Sequence, residues 1–304
     1  MGLTILEAAK LEDNLQRVAI TRALAESEMI RILPFKNVTG GLDYAEEAEL
    51  PSVGFRAYNE TYDESYGVIN PQYERLKFMG GDIDVDMQRI KNFGGESKAQ
   101  QIEAKTRSIR LTFEDNMING DESVDPRAFD GLKTRINLGS SQAVNANGAL
   151  SLSVLDELID AVDGDTKVLH MNKAMRRRLT AASRNTSLGG FITFSQDELG
   201  KRATYYNECR IVVTDTNAQN VQIQGFTESG SSTSIYCVAY GDMQTTGIQG
   251  PRTDGTFGID VKEFGEVPDA PVDRTRIDWS IGLAIMNGRS AARCYGITNA
   301  AVVA

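Results

Sequence analysis

The feature that most constrains this chain is a stretch that cannot bury itself. Residues 37–86 read NVTGGLDYAEEAELPSVGFRAYNETYDESYGVINPQYERLKFMGGDIDVD, a run rich in Gly, Tyr, Asn and carboxylates. Residues 40–86 hold eleven carboxylates against three cations, a net of −8, so one segment carries most of the chain's net charge of −10. Residues 53–58 and 73–79 are strand-like in composition, but no sustained apolar alternation could build a buried sheet face. The segment is expected to form a long, polar, twisted hairpin projecting from the body, with a mobile surface loop as the plainer alternative. A lone two-stranded hairpin is marginal in water, and its open edges invite pairing with another chain.

The remainder can build a core: 41% of the 304 residues are apolar, enough for one large domain or two ordinary ones. Ala99, Ile102, Thr106, Ile109, Phe113 and Met117 recur at steps of three and four, which predicts a helix over 97–118, about 33 Å long, with one apolar face. Gly94–Gly95 precede it and Asn119–Gly120 end it. Residues 3–31 read as one or two short helices with a weak face of Leu3, Leu6 and Lys10–Leu11, continued by Leu15, Val18, Ala19, Arg22, Ala23 and Met29. Pro34 stops them, and helices this short need a surface to lie on.

Residues 139–148 read as a polar linker before an α/β stretch. Ser153 is placed to cap a helix running to Val162, with Asp156 in the capping-box position and Gly164 as the stop. Residues 167–170 form a short strand, and Asn172 caps a helix carrying Met175, Leu179 and Ala182. Residues 210–213, 221–225 and 234–239 are further strands. Ile277, Trp279, Ile281, Leu283 and Ile285 alternate without a break, a half-buried strand ending at Asn287–Gly288, which locally looks like a hairpin turn.

The chemistry of catalysis is sparse. The single histidine, His170, ends a strand and reads as a packed residue before it reads as a base. GxSxG, HExxH and Walker A sequences do not occur. An enzyme using carboxylates leaves no spacing signature and stands as the rival of a different class. Asp82, Asp84 and Asp86 alternate along one strand face and are the candidate ligands for a divalent cation; a solvated face is the simpler account. Residues 167–184 hold six cations and no carboxylate, including Arg176, Arg177 and Arg178, which suits an acidic neighbour such as the hairpin of an adjacent copy. Overall acidity argues against wrapping nucleic acid directly. Cys209, Cys237 and Cys294, odd in number and scattered, read as core residues of a protein made in a reducing cytoplasm. Nothing approaches a transmembrane or secretory run.

Three segments then carry a resemblance. MINGDESVDPRAFDGLKTRI follows the long helix with an F-x-G-L segment, VLHMNKAMRRRLTAASRN is a strand-and-helix opening, and RTRIDWSIGLAIMNGRSAARCYGI is a closing strand and return. Together they resemble the major capsid proteins of tailed phages with the Hong Kong 97-type fold, over essentially the whole chain. The resemblance implies an α+β capsid fold with an N-terminal arm at 1–36 and an extended β-hairpin loop at 37–88. It implies a peripheral domain with a long spine helix at 89–147 and 257–288, and an axial α/β domain at 148–256 and 289–304. It also implies that the chain crosses between domains at Asn287–Gly288 instead of turning back.

The function so implied is structural: pentamers and hexamers of one chain closing an icosahedral shell around double-stranded DNA, in a virion assembled in the host cytoplasm. No cofactor, membrane contact or sequence-specific DNA binding is expected. An encapsulin-like nanocompartment shell is the nearest alternative. An arm of about 35 residues, shorter than the scaffolding segment of some members, implies a separate scaffolding protein or none; portal and decoration proteins are further possible partners. Some members crosslink through a loop lysine, but nothing marks Lys77 as reactive, so no crosslink is expected. The expected inter-subunit contacts are Glu46, Glu47, Glu49, Phe55, Arg56, Tyr58, Tyr62, Tyr66 and Tyr73 of the loop, with Arg176 and Arg177 as cationic counterparts.

Overall fold

The computed structural model describes residues 15–49, 51–184, 192–196, 202–241, 243–250 and 259–303. The Leu3, Leu6 and Lys10–Leu11 part of the expected arm lies outside them.

The described chain opens with two helices, α1 (Leu15–Leu24) and α2 (Glu28–Ile32), and then strand β1 (Phe35–Asn37). Strands β2 (Gly41–Glu49) and β3 (Val68–Arg75) pair antiparallel as a separate two-stranded sheet. Next come β4 (Lys77–Asp86), α3 (Met87–Phe93) and the spine helix α4 (Glu96–Asn119). Beyond it lie α5 (Leu132–Arg135), β5 (Ala143–Gly148), α6 (Leu152–Asp160), β6 (Lys167–Asn172) and α7 (Lys173–Ala182). Strands β7 (Ile192–Gln196), β8 (Arg202–Tyr206), β9 (Cys209–Thr214), β10 (Thr233–Ala239), β11 (Thr245–Gln249), β12 (Ile259–Val267), β13 (Ala270–Ile285) and β14 (Ala291–Ile297) complete it.

Two sheets organise the body. In the five-stranded sheet β1-β11-β13-β12, β4 also pairs with β13. Its core forms where the spine helix lies on β13: Phe113 meets Trp279 at 5.4 Å, Phe129 at 5.8 Å and Phe35 at 6.4 Å between ring centroids. Such tilted contacts suit the quadrupoles of aromatic rings. The helical spacing seen in the sequence is the cause, since Thr106, Ile109, Phe113 and Met117 are all buried; Ala99, at the start of that face, is exposed. The alternation along β13 is equally direct, with Ile277, Trp279, Ile281 and Leu283 buried.

The seven-stranded sheet runs β5-β14-β10-β6-β9-β8-β7. Its core packs Leu155 and Leu158 of α6 and Met175 and Leu179 of α7 against Leu169, Met171, Ile211 and Cys237. Asn172 caps α7, its side chain accepting from the Met175 N–H at 2.7 Å. All three cysteines are free and buried.

Residues 20–35 find the surface that such short helices need: Ile20, Leu24, Met29, Ile30, Leu33 and Phe35 are core residues. Arg110 ties the segment to the spine through Glu26 at 2.5 Å, and Arg210 ties it to β9 through Glu28 at 2.6 Å. Several other sequence expectations are corrected. The α6 cap is Ser151, accepting from Val154 N–H at 3.2 Å, and not Ser153, whose hydroxyl instead meets that of Ser151. Residues 139–148 are not all linker, since Ala143–Gly148 lies parallel to β14. Residues 221–225 are not a strand; Ile223 is fixed instead by its N–H to Asp215 O and by its carbonyl, which accepts from Asn119 Nδ2. Residues 53–58 are also irregular.

The sheets divide the chain differently from the expected 37–88 and 256/257 limits. Strand β4 belongs to the body, in register with β13 from Lys77↔Ile281 to Asp86↔Val272, and β11 pairs with β13 too. At Asn287–Gly288 the chain leaves the five-stranded sheet and enters the seven-stranded one, because β13 and β14 do not pair. The local turn chemistry is real, with Ser290 N–H donating to Asn287 O, but it redirects the chain between sheets.

Candidate inter-subunit surface

The β2–β3 hairpin leaves the body at a small apolar root. Leu42 is buried there with Ile248 and Ala284, flanked by Val38, Leu76 and Met286. Farther out the cover stops. Val53, Phe55, Tyr58, Tyr62, Tyr66 and Tyr73 are exposed, the first three almost completely. Isolated exposed apolar residues are ordinary; here several of them share one projecting element.

The tip has local order that does not depend on the body. Glu60 Oε2 accepts from the Ala57 N–H at 2.9 Å, and the Arg56 guanidinium donates to the Glu60 carbonyl at 3.3 Å. Arg56 also stacks over the Tyr62 ring at 5.2 Å, and Ser65 Oγ donates to the Ser52 carbonyl at 2.7 Å. Tyr66 donates to Glu64 at 3.3 Å, and Arg75 lies over Tyr73 at 5.9 Å. The tip thus presents its exposed apolar and aromatic side chains on a backbone turn that is already hydrogen-bonded, which reduces the backbone's ordering cost on docking.

Of the expected contact residues, Glu46, Glu47, Glu49, Phe55, Arg56, Tyr58, Tyr62, Tyr66 and Tyr73 all fall on the hairpin, Glu47 and Glu49 opposite Ile69 and Val68. Arg176 and Arg177 are exposed on α7, which packs on the other sheet. Arg178 is tied to the Asn299 carbonyl at 3.3 Å.

The three candidate metal ligands do not converge. Asp82 sits opposite Arg276 and Asp84 opposite Arg274 across the β4–β13 ladder. Each pair is bidentate: Arg276 donates to Asp82 at 2.6 and 2.9 Å, and Arg274 to Asp84 at 2.7 and 2.6 Å. These guanidinium hydrogen bonds hold both carboxyls below the usual carboxylate range. Asp86 instead caps α3, accepting from the Gln88 N–H at 2.7 Å. No group of three or more His, Cys, Asp or Glu with metal-holding geometry occurs among the described residues.

His170 is fully buried and bonded through Nε2 to the Tyr240 hydroxyl at 2.7 Å. Burial depresses its pKa to about 3 and closes it off from any substrate. Lys77 is held by Glu122 at 2.6 Å and by the Pro126 carbonyl at 2.8 Å.

Sequence reading missed the hairpin's polar root. Arg135 donates to Glu74 at 2.5 Å, to the Asp130 carbonyl at 2.8 Å and to the Leu283 carbonyl at 3.1 Å. Beside it, Tyr44 is pushed up to about 12 by burial, then by Glu74. No local motif announces partners 61 and 148 residues apart. No helix among the described residues is long and apolar enough to cross a membrane.

No family model matches the chain, and no curated protein matches it in sequence. Solved structures do. The SrpI encapsulin complex of Synechococcus elongatus aligns over 100% of this chain and 99% of its own, with a TM-score of 0.68 and 16% identity. The capsid of an empty GTA particle aligns over 89% and 90%, with a TM-score of 0.61 and 12% identity. Mycobacterium phage Bobi gives 88% and 89%, with a TM-score of 0.61 and 12% identity. With its two sheets, spine helix and projecting hairpin, this α+β chain has the Hong Kong 97-type fold of phage capsids and encapsulins.

Proposed function

We propose that the chain is a major capsid protein, whose copies assemble as pentamers and hexamers into an icosahedral shell enclosing the double-stranded DNA of a tailed phage. The observation that carries this reading is the β2–β3 hairpin, whose exposed Val53, Phe55 and Tyr58 have no cover within the subunit although the body has a buried apolar core of its own. A standard interface buries about 800 Å² on each partner, so a hairpin lying over a neighbour, repeated around every subunit, stabilises the shell by many modest contacts.

In this reading the five-stranded unit with the spine helix is the peripheral domain and the seven-stranded unit is the axial one. The hairpin's Glu46, Glu47, Glu49, Phe55, Arg56, Tyr58, Tyr62, Tyr66 and Tyr73 form contacts between copies, and Arg176 and Arg177 give cationic ground for its carboxylates. Assembly then weakens with added salt. The role is structural and not catalytic. Assembly takes place in the host cytoplasm with a separate scaffolding protein or none, and portal and decoration proteins are the further possible partners.

Electron microscopy of the purified protein tests this: shells or capsomer rings are expected. Monomers and small oligomers under every assembly condition would sink it. Deleting residues 50–72 should leave a folded, soluble subunit that makes no shells. A nanocompartment shell is the second reading, favoured by the full-length alignment with the encapsulin complex. Nuclease-protected DNA inside native particles decides for the phage; an enclosed protein decides for the compartment.

A further inference from the structure

The hairpin is joined to the body by two attachments of different character. One is the apolar root around Leu42, Ile248 and Ala284. Apolar contact is non-directional and roughly proportional to buried area, so such a root tolerates rotation. The other is Arg135. Its guanidinium joins Glu74 of β3, the Leu283 carbonyl of β13 and the Asp130 carbonyl before α5, three segments held by one planar group. The Arg135 side chain is 16% exposed and that of Glu74 is 22% exposed, so the pair is largely shielded from competing water and salt.

Next to this tie the packing is incomplete. A cleft of about 320 Å³ separates the hairpin from the body, with Tyr44, Glu46 and Glu74 on one wall and Ser140 and Gln142 on the other. Glu46 reaches across its rim, so that a Cβ added at Gly288 would stand 2.8 Å from its carboxylate oxygen. Just beyond this wall the β2–β3 register slips between Glu47 and Glu49, a bulge of the kind that bends a strand pair. An apolar pivot, an open cleft and a bulge together permit a swing, and one directional group opposes it.

We infer that Arg135 is a latch that sets the angle at which the hairpin leaves the body, and that releasing Glu74 from it lets the hairpin close into the cleft. The latch belongs to the single subunit; only its consequence for shell curvature rests on the shell reading. In an assembly, neighbours that pull on the hairpin would load Arg135 and its hairpin partners Glu74 and Tyr44, so the subunit would hold one angle until these contacts break.

The test uses the full-length soluble subunit. Glu74→Gln keeps the size of the side chain and removes the ion pair. Hydrogen exchange of the backbone amides at 41–46 and 72–76 should accelerate at least tenfold, while those of the spine helix and the seven-stranded sheet stay as in the parent. Spin labels at positions 63 and 103 should report a shifted or broadened distance distribution. The swapped pair Arg135→Glu with Glu74→Arg should restore part of the protection. Unchanged exchange and distances in Glu74→Gln would overturn the latch. So would accelerated exchange throughout the body, because Arg135 would then be an ordinary stabilising residue. If shells form, the Glu74→Gln variant should give a wider spread of diameters than the parent. If the parent forms none, the shell reading fails while exchange and distances still decide the latch.

Discussion

Two antiparallel strand pairs in this molecule, β4 with β13 and β2 with β3, are both rich in charge and have opposite surroundings. β4 and β13 pair over ten residues, and both strands are heavily charged on one side. There Asp82 and Asp84 meet Arg276 and Arg274, while Ile83, Val85, Ile277 and Trp279 are buried on the other side. β2 and β3 pair over a similar length, yet Leu42 is the only buried side chain among their described residues, and Val68, Ile69 and Tyr73 are exposed. Charge therefore does not separate them. What separates them is one buried face, because a two-stranded ribbon becomes stable only when something lies against it. For β4 and β13 the spine helix does this inside the subunit; for the hairpin, in the proposed shell, a neighbouring copy does.

The largest expected effect breaks the covered pair. Trp279→Ala should cost about 3–5 kcal/mol in urea denaturation of the soluble subunit. Phe55→Ala should change the same measurement by less than about 0.5 kcal/mol, while shell yield falls. Equal destabilisation by the two would collapse the contrast.

Acid comes next. His170 is held neutral by burial, its pKa lowered to about 3, whereas the unfolded chain takes up that proton near 6.5. Stability is therefore fully present above pH 6.5 and falls by up to about 1.4 kcal/mol per pH unit as the pH drops toward 3. Denaturation midpoints across this range should show that slope, and His170→Gln should flatten it.

Asn172→Ala should cost about 1–2 kcal/mol, since it removes a helix cap that also donates to the Gln224 carbonyl at 2.7 Å. Thermal melts of the seven-stranded sheet's tyrosine signal would report it. The smallest effect is expected from Asp82→Asn, which loosens an exposed ladder pair. Its loss of Tm should be visible in low salt and vanish in high salt. Because Arg276 holds the Asp82 carboxyl below its ordinary range, the parent's pair should persist until the pH falls below that range.

Much of the fold was legible because its signals are local. Steps of three and four placed Ile109, Phe113 and Met117 on one helix face, and the alternation from Ile277 to Ile285 announced β13. The α7 cap at Asn172 followed from its neighbours in sequence. The hairpin was legible from what it lacked, although its strands lie at Gly41–Glu49 and Val68–Arg75 and not at 53–58. Short or partner-dependent elements were not. β1 is three residues long and pairs with β11 more than 200 residues away. β5 reads as linker because its stability comes from β14, and Ser151 outcompetes Ser153 because α6 begins at Leu152. Of the candidate site, the exposed aromatics could be named in advance, but the roles of Asp82, Asp84 and Asp86 could not, since strand pairing gave each a partner.

What the sequence determined alone, then, is periodicity and composition: a spine, a buried alternating strand, and an acidic segment too poor in apolar residues to cover itself. The tertiary structure decided which long-range pairs neutralise the charges, that residues 20–35 join the core, and that the chain changes sheets at Asn287–Gly288. It also placed Arg135 between Glu74 and Leu283. Local patterns follow from one or two turns of helix or a few residues of strand, whereas contacts across scores of residues depend on the whole packed arrangement.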